Sequence, residues 1–315
     1  MTRDDNMHPK AVQDAYRHGL TGTGIASRTL HTAAGAGVHV LEKGAGPPVV
    51  FLHGTLSPAL FWLPVLDGLE DGRAMVPDRP GQGLSDAGHF PPDDLRAAAL
   101  DWVGCLLDSL ELPTATIVGH SMGGLWALWF ALKHPERVQK MVLIGVPALP
   151  GTRAPLPFRA MATPLVGAAI ARQRETPASV RRFARSVGEG STILKHPELI
   201  DLMVATGQDR LAHTVARAEV RGIVSPAALL SRSGFREGAM ISPAELRRCS
   251  VPTLIIWGRQ DPVGPPAVAA QIAAMMPAAG AREVPGGHVP WLGNPTPVVA
   301  AVTDFVQRDE SRKAQ

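Results

Sequence analysis

The sequence is poor in cysteine and has no long apolar run. Its 315 residues include only two cysteines, Cys105 and Cys249, whose spacing fits neither a metal site nor a disulfide framework. A reducing compartment suits such a chain. No stretch of about 18 apolar residues occurs, and the first six residues lack the apolar segment of a secretory signal. These absences predict a cytoplasmic protein without a membrane span.

An excess of charge of one sign is also absent. The formal net charge is only +3, and no dense basic stripe or known nucleic-acid-binding module occurs, so nucleic acid is not an expected partner. The charge is uneven, since residues 151–248 carry 15 Lys and Arg against 8 Asp and Glu. Solvated helix faces explain this asymmetry more simply than an anion site does. No metal-ligand cluster and no dinucleotide fingerprint is seen, so no metal or cofactor is predicted.

The residues that are present predict an α/β protein. Hydrophobic residues make up 45% of the chain, enough for a sizeable core. Strand-like and helix-like runs alternate up to residue 149, which is typical of a mostly parallel sheet flanked by helices. We therefore predict an N-terminal arm (1–26) that is loose or holds one short helix, a core (27–149 and 245–315) and an inserted helical cap (150–244). Predicted helices of the insert cover residues 159–172, 178–186, 197–206 and 210–222, and a last core helix covers 297–308.

The most informative motif is Gly119-His120-Ser121-Met122-Gly123, which fits G-x-S-x-G. A strand-like run precedes it and a helix-like run follows it, as in a nucleophile elbow. Such a turn presents the serine hydroxyl at the top of a sheet. It needs small residues two positions before and after the serine, because a Cβ there would clash with the neighbouring strand or helix. The alternative interpretation is a glycine-rich turn with an idle serine.

A serine hydroxyl needs a base in hydrogen-bond reach, and the base needs an orienting acid. His288 follows the last predicted strand, and Asp261 follows the strand before it. Catalytic groups in open parallel sheets gather at the carboxyl ends of the strands, where Ser121 also lies. The chain order of nucleophile, acid and base is that of an α/β hydrolase.

At this point the chain resembles α/β-hydrolase fold proteins with a helical cap, over residues 26–308. The matching motifs are His53-Gly54-Thr55, Asp78-Arg79-Pro80-Gly81-Gln82-Gly83-Leu84-Ser85, the elbow, Gly258-Arg259-Gln260-Asp261 and Gly287-His288.

The resemblance implies a role for each site residue. Ser121 attacks an acyl carbon, His288 moves the proton, and Asp261 orients the imidazole. The backbone N–H groups of Met122 and Thr55 form the oxyanion hole, with Leu56 as the alternative to Thr55. Leu56, Phe61, Trp62 and Trp291 are candidates for the substrate pocket. Asp78 and Arg79 are interpreted as a pair that braces a loop.

The predicted reaction is hydrolysis of an ester or related acyl bond of a small molecule, through an acyl-serine intermediate. Serine at the elbow argues against similarity to epoxide hydrolases and haloalkane dehalogenases, which use a carboxylate there. The family's carbon–carbon bond hydrolases tend to carry Gly-Pro-Gly after His-Gly and Trp after the catalytic His. Leu56-Ser57-Pro58 and Val289 stand there instead.

Several alternatives stay open. Hydrolysis of carbon–carbon bonds, hydrolysis of lactones, perhydrolysis and acyl transfer all use the same triad. The scaffold also serves non-catalytic ligand-binding proteins. The apolar insert suggests an apolar substrate, and its positive balance would suit one that carries a carboxylate. No oligomeric state is predicted.

Overall fold

An eight-stranded sheet runs through the centre of the molecule. The computed structural model describes residues 8–69, 72–88, 91, 93–227 and 231–307. In chain order the strands are β1 (Ala26–His31), β2 (Gly37–Lys43), β3 (Pro48–Leu52), β4 (Arg73–Pro77), β5 (Ala115–His120), β6 (Val138–Ile144), β7 (Thr253–Gly258) and β8 (Ala279–Val284). Their order across the sheet is β1-β2-β4-β3-β5-β6-β7-β8, with β3 to β8 parallel and β2 antiparallel to both neighbours. The predicted α/β architecture, a mostly parallel sheet flanked by helices, is confirmed.

The composition of each strand matches its place in the sheet. The central strand β5 is buried along its whole length, as expected where helices cover both faces. At the two edges, β1 and β8 are largely exposed, and β8 carries Arg282 and Glu283. Charged side chains on an edge strand disfavour pairing with another chain.

Helices cover both faces of the sheet. They are α1 (Lys10–Leu20), α2 (Leu63–Asp67), α3 (Leu95–Ser109), α4 (Ser121–Lys133), α5 (Leu156–Ala162), α6 (Pro164–Ile170), α7 (Pro177–Ser186), α8 (Pro197–Thr206), α9 (Arg210–Ile223), α10 (Pro243–Arg248), α11 (Ala267–Met275) and α12 (Thr296–Gln307). One apolar cluster joins α3, α4 and α11 to the sheet, and a second joins α1, α2 and α12 to its other side. Among the described residues, no helix combines the length and apolar character needed to cross a bilayer.

The sequence prediction was wrong for one helix of the insert. Residues 159–172 were expected to form a single helix, but Thr163 is extended and separates α5 from α6. Helical geometry is disfavoured for the residue before a proline, and Pro164 has no N–H to continue the ladder. The N-terminal arm contains the short helix that was one of its two predicted forms. Residues 1–7, and Arg308 of the predicted last helix, lie outside the described residues.

Candidate active site

The turn between β5 and α4 places Ser121 in a left-handed backbone conformation, with φ of 51°. A Cβ at Gly119 would lie 2.5 Å from Cα of Gly124, and one at Gly123 would lie 2.4 Å from the carbonyl oxygen of His53. The prediction that only small residues fit two positions before and two positions after the serine is therefore confirmed. The strained turn lifts the serine hydroxyl out of the helix and over the strand ends.

Three side chains from distant parts of the chain meet at this turn. His288 Nε2 lies 2.9 Å from Ser121 Oγ, and Nδ1 lies 3.0 and 3.1 Å from the two carboxylate oxygens of Asp261. Asp261 Oδ1 also accepts the amide of Val263. Burial alone would lower the pKa of His288, but the charges of Asp261 and then Glu189 raise this pKa above its usual value. An imidazole held in this way can take a proton from the hydroxyl.

Aromatic side chains pack beside the loop that carries His288. His120 Nε2 donates to the carbonyl oxygen of His288, at 2.9 Å. Trp291 packs edge-on against the His120 ring and is stacked flat on Trp62, with centroids 4.3 Å apart. Its indole N–H donates to the carbonyl of Phe61. Burial, and next the charge of His288, keep the pKa of His120 well below its usual value, so its ring is neutral.

Two backbone N–H groups are available beside the serine. Thr55 and Met122 line the same pocket as Ser121, and neither backbone N–H has an acceptor among the described residues. The alternative donor, the N–H of Leu56, is engaged by Gln82 Oε1 at 2.8 Å. The backbone N–H groups of Thr55 and Met122 are therefore available beside Ser121, whereas that of Leu56 is not.

The pocket over Ser121 is small and has apolar walls. The helical insert between β6 and β7 provides most of them: Ala154, Phe158, Val220, Ile223, Val224 and Phe235. Such a wall suits an apolar group.

The four side chains predicted for the substrate pocket lie elsewhere. Leu56 and Phe61 line a second pocket, which Val12 of α1 also lines. Trp62 and Trp291 are almost fully buried and, among the described residues, are not part of the wall over Ser121. The two tryptophans support the site through His120 instead.

Comparison with known proteins identifies the family. A model of the alpha/beta hydrolase fold family matches residues 47–295. The chain belongs to this family. This α/β hydrolase is 30% identical over 265 residues to a 2-hydroxy-6-oxononadienedioate/2-hydroxy-6-oxononatrienedioate hydrolase of Paraburkholderia phymatum, covering 79% of this chain and 83% of that protein. It is 26% identical over 247 residues to a cis-3-alkyl-4-alkyloxetan-2-one decarboxylase of Shewanella oneidensis, covering 71% and 70%.

Solved structures share the fold of this α/β hydrolase at low sequence identity. Naproxen esterase from Bacillus subtilis superposes with a TM-score of 0.70 and 20% identity, covering 94% of this chain and 97% of that one. A 2-hydroxy-6-oxo-6-phenylhexa-2,4-dienoate hydrolase from Rhodococcus gives a TM-score of 0.73 and 21% identity, covering 90% and 99%. Hydrolases recur among the sequence relatives, and this chain is an enzyme of the same family.

The sequence did not identify two buried carboxylates of the insert, Glu189 and Glu219. Glu219 forms a fully buried ion pair with Arg79 and accepts a hydrogen bond from Thr55 Oγ1, at 3.2 Å. Burial raises the pKa of Glu219, and Arg79 opposes that rise. The loop-bracing role predicted for Asp78 and Arg79 is divided between them: Asp78 accepts a backbone amide of its own loop, whereas Arg79 binds Glu219 of the insert. Isolated acids in a helical segment give no sequence signal for such contacts.

Proposed function

We propose that this α/β hydrolase cleaves an ester or related acyl bond through an acyl-serine intermediate. The observation that carries the proposal is the continuous hydrogen-bonded chain from Ser121 through His288 to Asp261, beside the two N–H groups of Thr55 and Met122. A hydroxyl, a base, an orienting acid and a pair of donors are the full set of groups that acyl transfer needs.

The proposed reaction proceeds in two halves. His288 Nε2 accepts the Ser121 proton as Oγ attacks the acyl carbon, and the resulting oxyanion accepts hydrogen bonds from Thr55 and Met122. The imidazolium then gives its proton to the leaving alkoxide, so that alcohol departs and an acyl-serine remains. Water, deprotonated by His288, attacks this ester, and collapse of the second tetrahedral intermediate releases the acid and restores the serine proton.

The pocket walls support an apolar acyl group of modest size. We propose that residues 150–244 act as a cap, because side chains of this segment form most of the wall over Ser121. A small pocket with these walls fits a short alkyl or a single aromatic group better than a long chain. Lactones are cyclic esters and would react at the same groups.

Carbon–carbon bond hydrolysis is the second candidate. The observation in its favour is the relative in Paraburkholderia phymatum, at 30% identity over most of both chains. Where this chain has Leu56-Ser57-Pro58 and Val289, the family's carbon–carbon bond hydrolases tend to carry Gly-Pro-Gly and Trp. We therefore rank ester cleavage first. Incubation with a vinylogous 1,5-diketone, followed by product analysis, separates the two.

A fluorophosphonate probe and a panel of chromogenic esters of increasing acyl length test the proposal. We expect wild type to be labelled and to favour short esters, because the pocket is small. Ser121→Ala should lose labelling and His288→Ala should lose several orders of magnitude in turnover. Ser109→Ala, which changes a half-buried serine at the end of α3, is the matched control. A folded wild-type protein that neither reacts with the probe nor hydrolyses any ester would indicate a ligand-binding protein instead.

A further inference from the structure

The loop that carries His288 is held by the insert through its backbone. The amide of His288 donates to the carbonyl of Val187 at 2.8 Å. The amides of Gly287 and Val289 both donate to one oxygen, Oε1 of Glu189, at 2.7 and 3.0 Å. Three consecutive amides of the loop are therefore satisfied by residues 187–189, which follow directly after α7.

Close backbone contact makes this arrangement rigid. A Cβ at Gly287 would lie 2.3 Å from the carbonyl oxygen of Val187, so the loop can approach the insert only because this position has no side chain. On the other side, the His288 carbonyl accepts from His120. The backbone around the imidazole is thus fixed from the insert and from the end of β5 together.

Glu189 is fully buried and has no Lys or Arg partner within the described ranges. Its second oxygen accepts the Thr192 hydroxyl. Burying a carboxylate without a cation is costly, and its hydrogen bonds offset part of that cost. The Glu189 carboxylate is costly to bury, and it binds the amides on both sides of His288. These two observations indicate a role beyond packing.

The charges that face His288 indicate that role. Among the described residues, Asp261 reaches it from the loop after β7, Glu189 from the insert, and the neutral ring of His120 from β5 at a centroid distance of 4.9 Å. The negative charges of two carboxylates therefore act on an imidazole that must become an imidazolium during the proposed reaction. Charges fixed in place before the reaction stabilise that cation without reorganisation.

We propose that Glu189 is a positioning residue for His288, which fixes the two flanking amides and supplies a second negative charge near the imidazole. This inference rests on the proposed function, in which His288 is the base. It also assigns the insert a part in the proton transfer, in addition to forming the pocket wall.

Glu189→Gln is the decisive variant, because its amide oxygen can still accept the two N–H groups but the charge is gone. The acid limb of kcat/KM reports the pKa of His288 in the free enzyme. Since the carboxylate raises that pKa, its removal should move the acid limb to lower pH, by roughly half a pH unit or more. Glu189→Ala also removes the acceptor and should lower the plateau of kcat/KM on the order of 100-fold.

Glu198→Gln, an exposed acid of the same insert, is the matched control and should leave the profile unchanged. NMR titration of the His288 Cε1–H measures the same shift without turnover, so it tests Glu189 even if the protein hydrolyses no ester. The NMR titration of Glu189→Gln also tests the inference if Glu189→Ala does not fold. An acid limb and an NMR titration of Glu189→Gln that both coincide with wild type would overturn the inference.

Discussion

At the scale of single residues, the active site depends on positions where a side chain is missing. Gly119 and Gly123 allow α4 to start directly over the end of β5, with the backbone of His53 in contact. This close packing is what orients the Ser121 hydroxyl toward His288 rather than along the helix. The steric requirement could be predicted from the motif alone, because it follows from local backbone geometry.

Gly123→Ala tests this requirement. The new Cβ would overlap the carbonyl oxygens of Leu52 and His53 at 2.4 Å, so the strand end must shift. We expect the free energy of unfolding in urea to fall by about 1–3 kcal/mol and probe labelling of Ser121 to be lost. Gly104→Ala in α3 is the control, because its Cβ meets only Phe130 at 3.7 Å. Helix propensity should make that variant more stable, by about 0.5–1 kcal/mol. Equal stability and labelling of both variants would contradict this account of the turn.

Residues with a local signature were predictable, and residues defined by distant contacts were not. Ser121, Asp261 and His288 each follow a recognisable strand, and parallel topology brings strand ends together. Glu189 and Glu219 lie in a helical segment whose periodicity says nothing about which core loop each side chain reaches. Their partners are 98 and 140 residues away in the chain.

At the scale of secondary-structure elements, α1 joins the N-terminal arm to both parts of the molecule. Tyr16 donates from α1 to the buried carboxylate of Asp78, with the two oxygens at 2.6 Å. That carboxylate also accepts from His39 and from the amides of Ala59 and Leu84. The helix packs on α8 of the insert as well. The described part of the arm, residues 8–26, is therefore an integral part of the fold, which its polar sequence did not indicate.

Tyr16→Phe measures how firmly α1 is anchored. The buried carboxylate would lose one donor while its burial stays the same, so we expect the free energy of unfolding to fall by about 1–3 kcal/mol. Lys10→Gln breaks an exposed pair on the same helix and should leave the urea midpoint unchanged. A Tyr16→Phe midpoint equal to that of wild type would show that apolar packing alone holds α1.

At the scale of the whole molecule, the insert and the core are joined by the buried pair of Arg79 and Glu219. The Arg79 guanidinium also lies over the Trp126 ring, 4.6 Å from its centroid. Because neither charge reaches water, loss of one partner leaves the other unpaired in the interior. The join between the two units is therefore electrostatic as well as apolar.

Glu219→Ala should lower the free energy of unfolding by about 3–5 kcal/mol. Replacing both residues, Arg79→Met with Glu219→Leu, should recover much of that loss, since no charge is then buried. Asp93→Asn is the control, because Asp93 pairs with Arg236 across the same two units but at the surface. A double variant as unstable as Glu219→Ala would mean that the cost comes from packing and not from the unpaired charge.

The general architecture was predictable, and the details of the insert were not. Alternating strands and helices indicate a parallel sheet through a rule that applies to the whole chain. In the insert, Pro164 divides a periodic run into two helices, and tertiary contacts with the core decide where each one lies. Sequence periodicity records which face of a helix is apolar but not which neighbour covers it.

The edge position of β8 has a consequence for how the molecule comes together. His288 follows the outermost and last strand of the sheet, whereas Ser121 follows a central one. Contacts between such remote segments form slowly in a folding chain. A polypeptide that has collapsed but not yet docked its final strand would thus have a serine with no base. Pulses of fluorophosphonate during refolding would label only molecules whose last strand has docked. The extent of Ser121 labelling would therefore measure how fast the complete site forms.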